Sequence, residues 1–333
     1  MAGAWFRATV SRPKKAESRA AFSLLRRFVA IGLGALLTVS FVFEAAAQES
    51  AQEKSDLVVG RASSNPTDSI PKLKPFSRYL AKKLDGLGIK EGKVVIVRDS
   101  REMAEALRSG RIDVFSETPF SAIDLIDRGL AEPLLREWKK GVSSYHSVFI
   151  SRKDRPISSL GELKGKIVAF EDPESTSAFF LPLAALRAEG LEVAELSSIH
   201  SRPPADKVGY LFARGEVNIA AWVVKGAAAA GAFSNLDWED LERTPNAVRK
   251  HLRVFHETAS VVRSLVLVRP GLPRTYKDAL REILIRMPDD EEAARVLKKY
   301  NEVKKFDAID EEIQRSLENT RRAMAYIREE LNR

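Results

Sequence analysis

Three consecutive hydroxyl residues carry the clearest chemical signal in the chain. Ser175, Thr176 and Ser177 follow an apolar run and an acidic stretch, and they stand where a long helix is predicted to begin. At a helix start, hydroxyl groups lie beside backbone N–H groups without intrahelical partners and beside the positive end of the helix dipole. This combination suits an anionic or oxygen-rich ligand group. Capping needs only one residue, so we predict that the run binds a ligand, with helix capping as the alternative.

Four other side chains are candidates because each lies near the end of a predicted strand. Glu117 immediately precedes a predicted helix, where the dipole favours a carboxylate whether it contacts a ligand or only stabilises the helix. Arg61, Tyr145 and Trp222 fit cleft lining and ordinary packing equally well. The indole of Trp222 would offer a ligand a large contact area and one N–H donor. All four are included in the candidate ligand-binding set.

No catalytic, metal-binding or cofactor-binding constellation is recognisable in the sequence. The segment 161–167 resembles a phosphate-binding loop, but it is one residue short and ends on Ile where a Ser or Thr must reach the metal. The chain has no cysteine, and its four histidines lack the spacing of a zinc site. We therefore expect a protein without enzymatic activity, metal or cofactor. A hydrolase that uses Glu117 as its base is a distant alternative.

Alternating strands and helices must position the candidate residues. From Asp56 onward, short β-branched runs alternate with helical patterns, which is typical of βαβ units and mainly parallel sheets. The predicted strands are 57–61, 94–97, 112–115, 167–170, 197–200 and 217–223. The predicted helices are 75–84, 101–109, 118–129, 175–188 and 206–213. The C-terminal region is predicted to be helical, with an apolar stripe that packs on the core (Ile313, Leu317, Met324, Ile327 and Leu331).

The order of these elements predicts an α/β protein of two lobes, each a mainly parallel sheet flanked by helices. Two strand-like runs, 145–151 and 264–268, flank the second βαβ unit, so the chain is expected to cross twice between the lobes. Lobe 1 is then formed by residues 56–148 and 258–333, and lobe 2 by residues 149–257. Ligands of open α/β sheets bind beyond the carboxyl ends of the strands. The cleft walls are therefore predicted at 61–65, 116–118, 171–177 and 222–225.

The first 47 residues have the pattern of a secretory signal peptide. Basic residues precede an uncharged run of 16 residues, Phe28 to Phe43, and small residues follow at the cleavage positions. The run is shorter than the ~20 residues that span a bilayer, although an uncleaved N-terminal anchor is an alternative. We expect a periplasmic protein.

Charge argues against a nucleic-acid partner. Residues 1–47 contain seven basic and two acidic side chains, a net +5, so their removal lowers the formal net charge from +8 to +3. The remaining chain is only mildly basic, with acidic residues interspersed throughout. We expect a small-molecule ligand, no nucleic acid and a monomer.

Three stretches carry a family resemblance: SSLGELKGK at 158–166, FEDPESTS at 170–177 and LPLAALRAEG at 181–190. They resemble the phosphate/phosphite/phosphonate-binding proteins of ABC transporters, and the order of elements fits that family over most of the chain. The resemblance implies the type II periplasmic binding fold and delivery of the ligand to a membrane permease. It also implies that Ser175, Thr176 and Ser177 hold phosph(on)ate oxygens. Near Glu117, members of that family usually carry a Tyr.

Glu117 leaves two ligand classes open. If it faces the cleft unpaired, we expect a ligand with a cationic or donor-rich end, because a carboxylate repels a dianion by about 4 kcal/mol at ~4 Å in an intermediate dielectric. If Arg61 neutralises it, a phosph(on)ate remains possible. A sensor protein that presents its ligand state to a membrane receptor is the alternative to a transport component.

Overall fold

The computed structural model describes residues 55–63 and 65–331, with the side chains of 326 and 328–331 excepted. The signal peptide predicted for residues 1–47 lies outside the described residues. The strands are β1 (Asp56–Ala62), β2 (Glu91–Val97), β3 (Val114–Glu117), β4 (Glu132–Glu137), β5 (Ser144–Tyr145), β6 (Ser147–Arg152), β7 (Ile167–Phe170), β8 (Val193–Glu195), β9 (Val208–Phe212), β10 (Ala230–Ser234), β11 (Leu252–Glu257), β12 (Val261–Val262), β13 (Leu265–Val268) and β14 (Phe306–Asp307). The helices are α1 (Pro66–Lys83), α2 (Ser100–Arg108), α3 (Pro119–Asp127), α4 (Leu181–Ala188), α5 (Glu216–Val224), α6 (Asn235–Glu239), α7 (Asn246–Arg249), α8 (Arg274–Arg286), α9 (Glu291–Lys299) and α10 (Glu311–Leu331). Within the described part of the chain, no helix is long and apolar enough to cross a membrane.

The first sheet has the strand order β14-β4-β13-β3-β1-β2. Strands β1, β2 and β3 are parallel, whereas β13 is antiparallel to both β3 and β4, so β4 runs in the same direction as β3. The carboxyl ends of β1, β3 and β4 therefore lie at one edge. The amino ends of the antiparallel strands β13 and β14 lie at that same edge.

The second sheet has the strand order β11-β6-β10-β7-β9-β8. Strands β8, β9, β7 and β10 are parallel, and β6 is antiparallel to its neighbours β10 and β11. The segments that follow β7, β9 and β10 consequently leave the sheet at one edge, where β6 begins. The two sheets and their flanking helices confirm the predicted α/β architecture of mainly parallel sheets.

Two adjacent segments carry the chain from one sheet to the other. Strand β5 lies between β4 and β6 in sequence, and β12 lies between β11 and β13. These two short strands pair with each other, with Tyr145 opposite Val261. The two crossings therefore form a single antiparallel ribbon.

Helix α1 begins nine residues before the predicted start. Asn65 caps it by accepting a hydrogen bond from the Asp68 backbone N–H at 3.2 Å. The prediction was wrong because Pro71 and Pro75 disfavour a helix interior, yet burial of one helix face against the sheet overrides this local preference. The packing is close: a Cβ added at Gly92 of β2 would lie 2.1 Å from the Ser77 carbonyl oxygen.

The second βαβ region differs most from the sequence prediction. Residues predicted as a helix at 206–213 contain strand β9, and residues predicted as a strand at 217–223 form helix α5. The short strand predicted at 197–200 occurs earlier, as β8. A short, mostly apolar segment such as 217–223 fits a buried helix as well as a strand, and α5 buries Ile219, Ala220 and Val223 at helical spacing.

The last helix packs on both parts of the fold. The predicted apolar stripe of α10 is buried at Ile313, Leu317, Met324 and Ile327, while the side chain of Leu331 lies outside the described residues. Helix α10 contacts α3, α4 and the ribbon strand β12. The C-terminal stripe is therefore core, as predicted.

A buried carboxylate ties three strands of the first sheet together. Asp113 is completely buried immediately before β3. It accepts hydrogen bonds from the Val58 backbone N–H in β1 at 2.8 Å and from Arg269 Nε, just after β13, at 2.9 Å. Buried charges are tolerated only when they are paired and hydrogen-bonded.

We expect Asp113→Ala to lower the free energy of unfolding by about 3 kcal/mol, because it leaves the Arg269 charge and the Val58 N–H without their acceptor. Urea unfolding followed by circular dichroism measures this loss. The matched control is Asp278→Ala on the exposed face of α8, where the ion pair to Arg281 is worth about 0.5 kcal/mol or less. Equal unfolding midpoints for the two variants would contradict the assigned role.

Candidate ligand-binding site

The carboxyl edge of the first sheet gathers five ionisable side chains. Arg61 and Glu117 stand at or near the ends of β1 and β3, Glu137 ends β4, Lys139 follows it, and Arg263 precedes β13. The sheet topology explains this gathering, because antiparallel β13 enters at the edge where its neighbours leave. With every group ionised, three cations face two carboxylates.

Glu137 is fully buried and held by a chain of hydroxyl groups. Its Oε2 accepts a hydrogen bond from Ser116 Oγ at 2.5 Å, and Ser116 Oγ lies 2.7 Å from the hydroxyl of the buried Tyr300. Burial raises the pKa of Glu137, while the positive charges of Lys139 and Arg61 oppose that shift. The position of this carboxyl group is thus fixed by the protein.

Glu117 lies in the same electrostatic environment. Burial raises its pKa, and the charge of Lys139, a hydrogen bond of 3.1 Å from the Thr118 backbone N–H and the charge of Arg61 counteract the rise. Lys139 is itself affected, because burial and the nearby Arg263 lower its pKa to about 8. From the sequence, Arg61 was the residue expected to neutralise Glu117. In the structure, Lys139 also lowers the pKa of Glu117, and its effect is larger than that of Arg61.

The two arginines of this edge are oriented by neighbours. Arg61 donates from Nη2 to Asn301 Oδ1 at 2.7 Å. The guanidinium of Arg263 lies over the ring of Tyr145, 4.5 Å from its centre. Tyr145 is buried, and burial raises its pKa. Because Tyr145 is in the crossing ribbon, Arg263 lies beside the connection to the second sheet.

The hydroxyl run lies at the carboxyl edge of the second sheet and serves several purposes. Ser175 caps the helical segment by accepting from the Ala178 N–H at 3.1 Å. Hydrogen bonds from the side chains of Thr176 and Ser177 act on the hydroxyl of Tyr145. Residues Thr176–Phe180 form a π-helical turn before α4. The predicted long helix is thus present, and one member of the run is a cap.

Thr176 connects the two parts of the fold. Its Oγ1 donates to Thr118 Oγ1 at 2.9 Å and accepts from the Phe120 backbone N–H at 3.1 Å, so the hydroxyl binds the start of α3. Lys140 and Asp240 form a second contact of this kind, with 3.4 Å between Nζ and Oδ2. The two carboxyl edges therefore face each other closely.

Three carboxyl groups follow the parallel strands of the second sheet. Glu171 comes after β7, Glu216 begins α5 after β9, and Asp237 lies in α6 after β10. Burial, followed by the adjacent Glu216 charge, raises the pKa of Glu171 to about 7. The Ser175 hydroxyl donates to Glu171 and partly offsets this rise.

Trp222 is not brought together with the other candidates. The residue lies in helix α5 and not after a strand, and it packs, partly buried, against a hydrophobic cluster of the second sheet. A helix that connects parallel strands runs back toward their amino ends, so residues 222–225 lie far from the carboxyl edge. The cleft wall predicted at 222–225 is therefore wrong, and its cause is the wrong strand assignment at 217–223.

The sequence prediction missed Glu137, Lys139, Arg263 and Asn301. Strand β4 was not predicted, so the charged residues at its end were not considered. Residues 264–268 were predicted to be extended, but the amino end of an antiparallel strand was not recognised as part of the ligand edge. The amino end of an antiparallel strand lies at the same edge as the carboxyl ends of its neighbours. Including such amino ends in the predicted ligand edge would have identified Arg263.

Two α/β sheets whose carboxyl edges face each other, joined by a two-stranded ribbon, define a periplasmic binding protein of type II. A sequence model of the family described as "ABC transporter, phosphonate, periplasmic substrate-binding protein" matches residues 61–313. The chain belongs to this family, as the resemblance predicted. The family consists of periplasmic substrate-binding components that work with an ABC transporter permease.

Solved structures agree with this assignment. XAC2383 from Xanthomonas citri, bound to chloride ion, is 33% identical with a TM-score of 0.81, and the match covers 83% of this chain and 99% of that one. The same protein bound to ATP matches with a TM-score of 0.80 over the same shares and at the same identity. PhnD1 from Prochlorococcus marinus, in complex with methylphosphonate, shares the fold at 20% identity with a TM-score of 0.62, over 82% of this chain and 98% of that one.

The raised pKa of Glu171 predicts a pH-dependent stability. The folded-state pKa of about 7 lies above the ordinary value of 4.5 for a glutamate side chain, so the folded protein retains a proton that the unfolded chain loses between these pH values. The stability contributed by this proton is present below about pH 4.5 and is lost as the pH rises through 7. We expect Glu171→Gln to gain about 1–3 kcal/mol relative to the original chain between pH 4.5 and pH 7.5.

Thermal or urea unfolding across this pH range measures the difference. Glu162→Gln, an exposed change in the loop before β7, is the control and should follow the original protein at every pH. A constant difference between Glu171→Gln and the original protein would show that the Glu171–Glu216 pair does not titrate in this window.

Proposed function

We propose that this protein captures a small phosphorus oxyanion, a phosphate or phosphonate group, between the two facing carboxyl edges. Arg61, Lys139 and Arg263 supply the positive charge from the first sheet. Tyr145 supplies a hydrogen-bond donor from the ribbon, and the hydroxyl run, Ser175 to Ser177, borders the ligand from the second sheet, with the protons of Ser175 and Thr176 donated to Glu171 and Thr118 in this conformation. Thr176 also holds the two edges together.

The observation that carries the proposal is the excess of cations over carboxylates at the partly buried carboxyl edge of the first sheet. A charged side chain removed from water needs compensation, and three cations of this edge share two acidic residues of the same edge, Glu117 and Glu137. Glu174 of the facing edge adds a smaller negative contribution at Glu117. An anionic ligand supplies the missing negative charge. At ~4 Å in an intermediate dielectric, each such attraction is worth about 4 kcal/mol before desolvation is subtracted. Because cations outnumber carboxylates on this edge, they offset the repulsion that Glu117 alone would exert on a phosph(on)ate.

The relatives support the same ligand chemistry. ATP carries phosphate groups and methylphosphonate a phosphonate group, and these ligands occupy a 33% identical protein and a more distant protein of the same fold. The terminal phosph(on)ate group is the part they share. We propose that this group, whatever it is attached to, binds between Arg263 and the hydroxyl run.

Binding is coupled to closure of two lobes in our proposal. Lobe 1 comprises residues 56–148 and 258–333, and lobe 2 comprises residues 149–257, which is supported by the sheets that these segments form. The ribbon of β5 and β12 is the hinge, and the contacts of Thr176 with Thr118 and Phe120 form on closure. A ligand that contacts both edges shifts the population toward the closed state. A permease would then recognise the closed monomer.

We expect Arg263→Gln to weaken binding of methylphosphonate or inorganic phosphate about ten- to a hundredfold. The physical reason is the loss of a charge-assisted hydrogen bond, worth about 1.5–3 kcal/mol. Isothermal titration calorimetry of the purified protein, freed of bound anions by partial unfolding and refolding, measures the dissociation constants. ATP is titrated alongside, so that a free anion and a phosphorylated compound are distinguished.

The matched control is Arg253→Gln. Arg253 is exposed near the amino end of β11, which is the opposite edge of the second sheet, so its loss should leave the affinity unchanged. Equal affinities for Arg263→Gln and the original protein would remove the proposed anion site. If the protein bound a cationic ligand but not methylphosphonate, phosphate or ATP, the result would favour an unpaired Glu117 that faces the cleft.

We also propose that residues 1–47 are a signal peptide, because the family is periplasmic and the segment has the basic, apolar and small-residue order of such a peptide. Expression of the full chain in a bacterium should yield a periplasmic protein that begins near Gln48. Intact mass spectrometry of the periplasmic fraction tests this cleavage. A membrane-bound form that retains residues 1–47 would show an uncleaved anchor instead.

A further inference from the structure

The amino edge of the second sheet carries a concentration of positive charge. Strand β6 ends there and strands β7, β9 and β10 begin there, because β6 is antiparallel to β10, whereas β7 and β9 run parallel to it. The connecting segments 152–166, 200–207 and 225–229 contain eight basic and three acidic side chains, a net +5. Residues 48–333 as a whole carry only +3. The rest of the chain after the predicted signal peptide is therefore negative in sum.

The three segments form one continuous surface. The backbone N–H of Gly165, just before β7, donates to the Lys207 carbonyl oxygen at 2.8 Å and so joins the first two segments. Arg152 Nη1 donates to the Val224 carbonyl oxygen at 3.2 Å and joins the end of β6 to the loop before β10. An open cavity of about 570 Å³ lies between the segments and is bordered by Arg152, Arg155, Lys166, Arg202 and Gly226. The charges of the three segments therefore act together.

Most of this positive charge is exposed and has no counter-charge. Asp154 neutralises Arg152, with 2.8 Å between Asp154 Oδ1 and Arg152 Nε, and Glu192 pairs with Lys207 at 2.8 Å. Six exposed cations form no ion pair with any residue that the structure describes, and we call them the amino-edge patch: Lys153, Arg155, Lys164, Lys166, Arg202 and Lys225. The two other acids of these segments leave the patch with a net positive charge.

The composition of the patch favours a membrane surface over a protein or a small anion as its partner. Protein interfaces are centred on aromatic or other large apolar anchors and are poor in lysine. The three segments contain no aromatic residue and no exposed large hydrophobic side chain. A small anion would be held by buried, fixed donors, but all six cations of the patch are exposed. Exposed basic side chains without apolar anchors attract the phosphate groups of anionic lipids.

We propose that the amino-edge patch binds the anionic phospholipid headgroups of the membrane that holds the permease. The family works with the permease of an ABC transporter, so the protein operates at a phospholipid surface. Each Lys or Arg near an anionic membrane strengthens binding about fivefold, and the contact is reversible because no apolar group inserts. The patch lies at the edge of the second sheet opposite the candidate ligand site. The cleft therefore remains accessible while the lipid contact keeps the protein close to the permease.

The first test measures binding of the protein, purified from the periplasm, to lipid vesicles by co-sedimentation. Vesicles of phosphatidylglycerol and phosphatidylcholine are compared with vesicles of phosphatidylcholine alone. We expect binding to the anionic vesicles to be at least about tenfold stronger. This difference should disappear when NaCl is raised from about 0.05 M to about 0.5 M, because salt screens exposed charges. Equal binding to the two kinds of vesicle, or binding to neither, would overturn the proposal.

The second test removes four charges of the patch together: Lys153→Gln, Arg155→Gln, Lys164→Gln and Arg202→Gln. We expect at least about tenfold weaker binding to the anionic vesicles. The matched control removes two lysines and two arginines that are exposed on helices α1 and α9 beside the first sheet: Lys74→Gln, Arg78→Gln, Arg295→Gln and Lys298→Gln. The two variants have the same net charge, so only the position of the lost charges differs, and the control should bind as the original protein does. Equal losses in both would refute the role of the patch.

Melting temperatures show whether the variants are folded. If the fourfold patch variant is unfolded, the double variant with Lys153→Gln and Arg155→Gln takes its place, with Lys74→Gln and Arg78→Gln as its control. We expect this double variant to bind the anionic vesicles at least about fivefold more weakly than its control does. Equal binding of the two double variants would count against the proposal in the same way.

Two further measurements separate the lipid from other partners. Methylphosphonate, added at constant ionic strength, should not release the protein from anionic vesicles; release would place the lipid contact in the cleft and overturn the proposal. Polyglutamate represents an acidic protein surface. Binding to polyglutamate that depends on the patch, without binding to anionic vesicles, would replace the lipid by an acidic protein partner. The vesicle experiments contain no cleft ligand, so their outcome is independent of the proposed phosph(on)ate binding.

Discussion

The placement of Lys139 near two carboxyl groups, the half-buried Glu117 and the fully buried Glu137, is the constraint on which the proposed site depends. Its charge opposes the effect of burial on both Glu117 and Glu137, and the same burial lowers its own pKa to about 8. Arg61 and Arg263 extend the positive side of this cluster. A group of charges this close can be buried only if the signs nearly balance. The remaining positive charge is what makes the edge suitable for an anion.

The hydroxyl run has a different part in the structure from the one its sequence suggests. Ser175 caps a helical turn, and Thr176 binds the opposite edge through Thr118 and Phe120. Its hydroxyl joins the two edges by donating to Thr118 and accepting from Phe120. In the proposed mechanism, this contact between two helix starts would couple ligand binding to closure, because both require the two edges to come close together.

Glu117 illustrates how a residue is misjudged when its neighbours in space are unknown. In the sequence it is a lone acid before a helix, and the natural inference is repulsion of a phosph(on)ate. In the structure it shares a cluster with three cations, Arg61, Lys139 and Arg263, none of which is adjacent to it in sequence. The electrostatic character of a site is a sum over spatial neighbours, so the sign of one member does not determine it.

The local pattern of the chain determined the α/β architecture, the hydroxyl run and the buried stripe of the last helix, because β-branched runs, cap residues and apolar periodicity act over a few residues. It did not determine whether residues 217–223 form a strand or a helix, because a short apolar run satisfies both until its packing is known; the error moved Trp222 to the wrong edge. Only the tertiary structure decided that Glu137, Lys139, Arg263 and Asn301 meet Arg61. They are brought together by antiparallel β13 and β14, which pair with strands more than 100 residues away in sequence. Such pairing depends on the whole sheet, and local sequence carries no record of it.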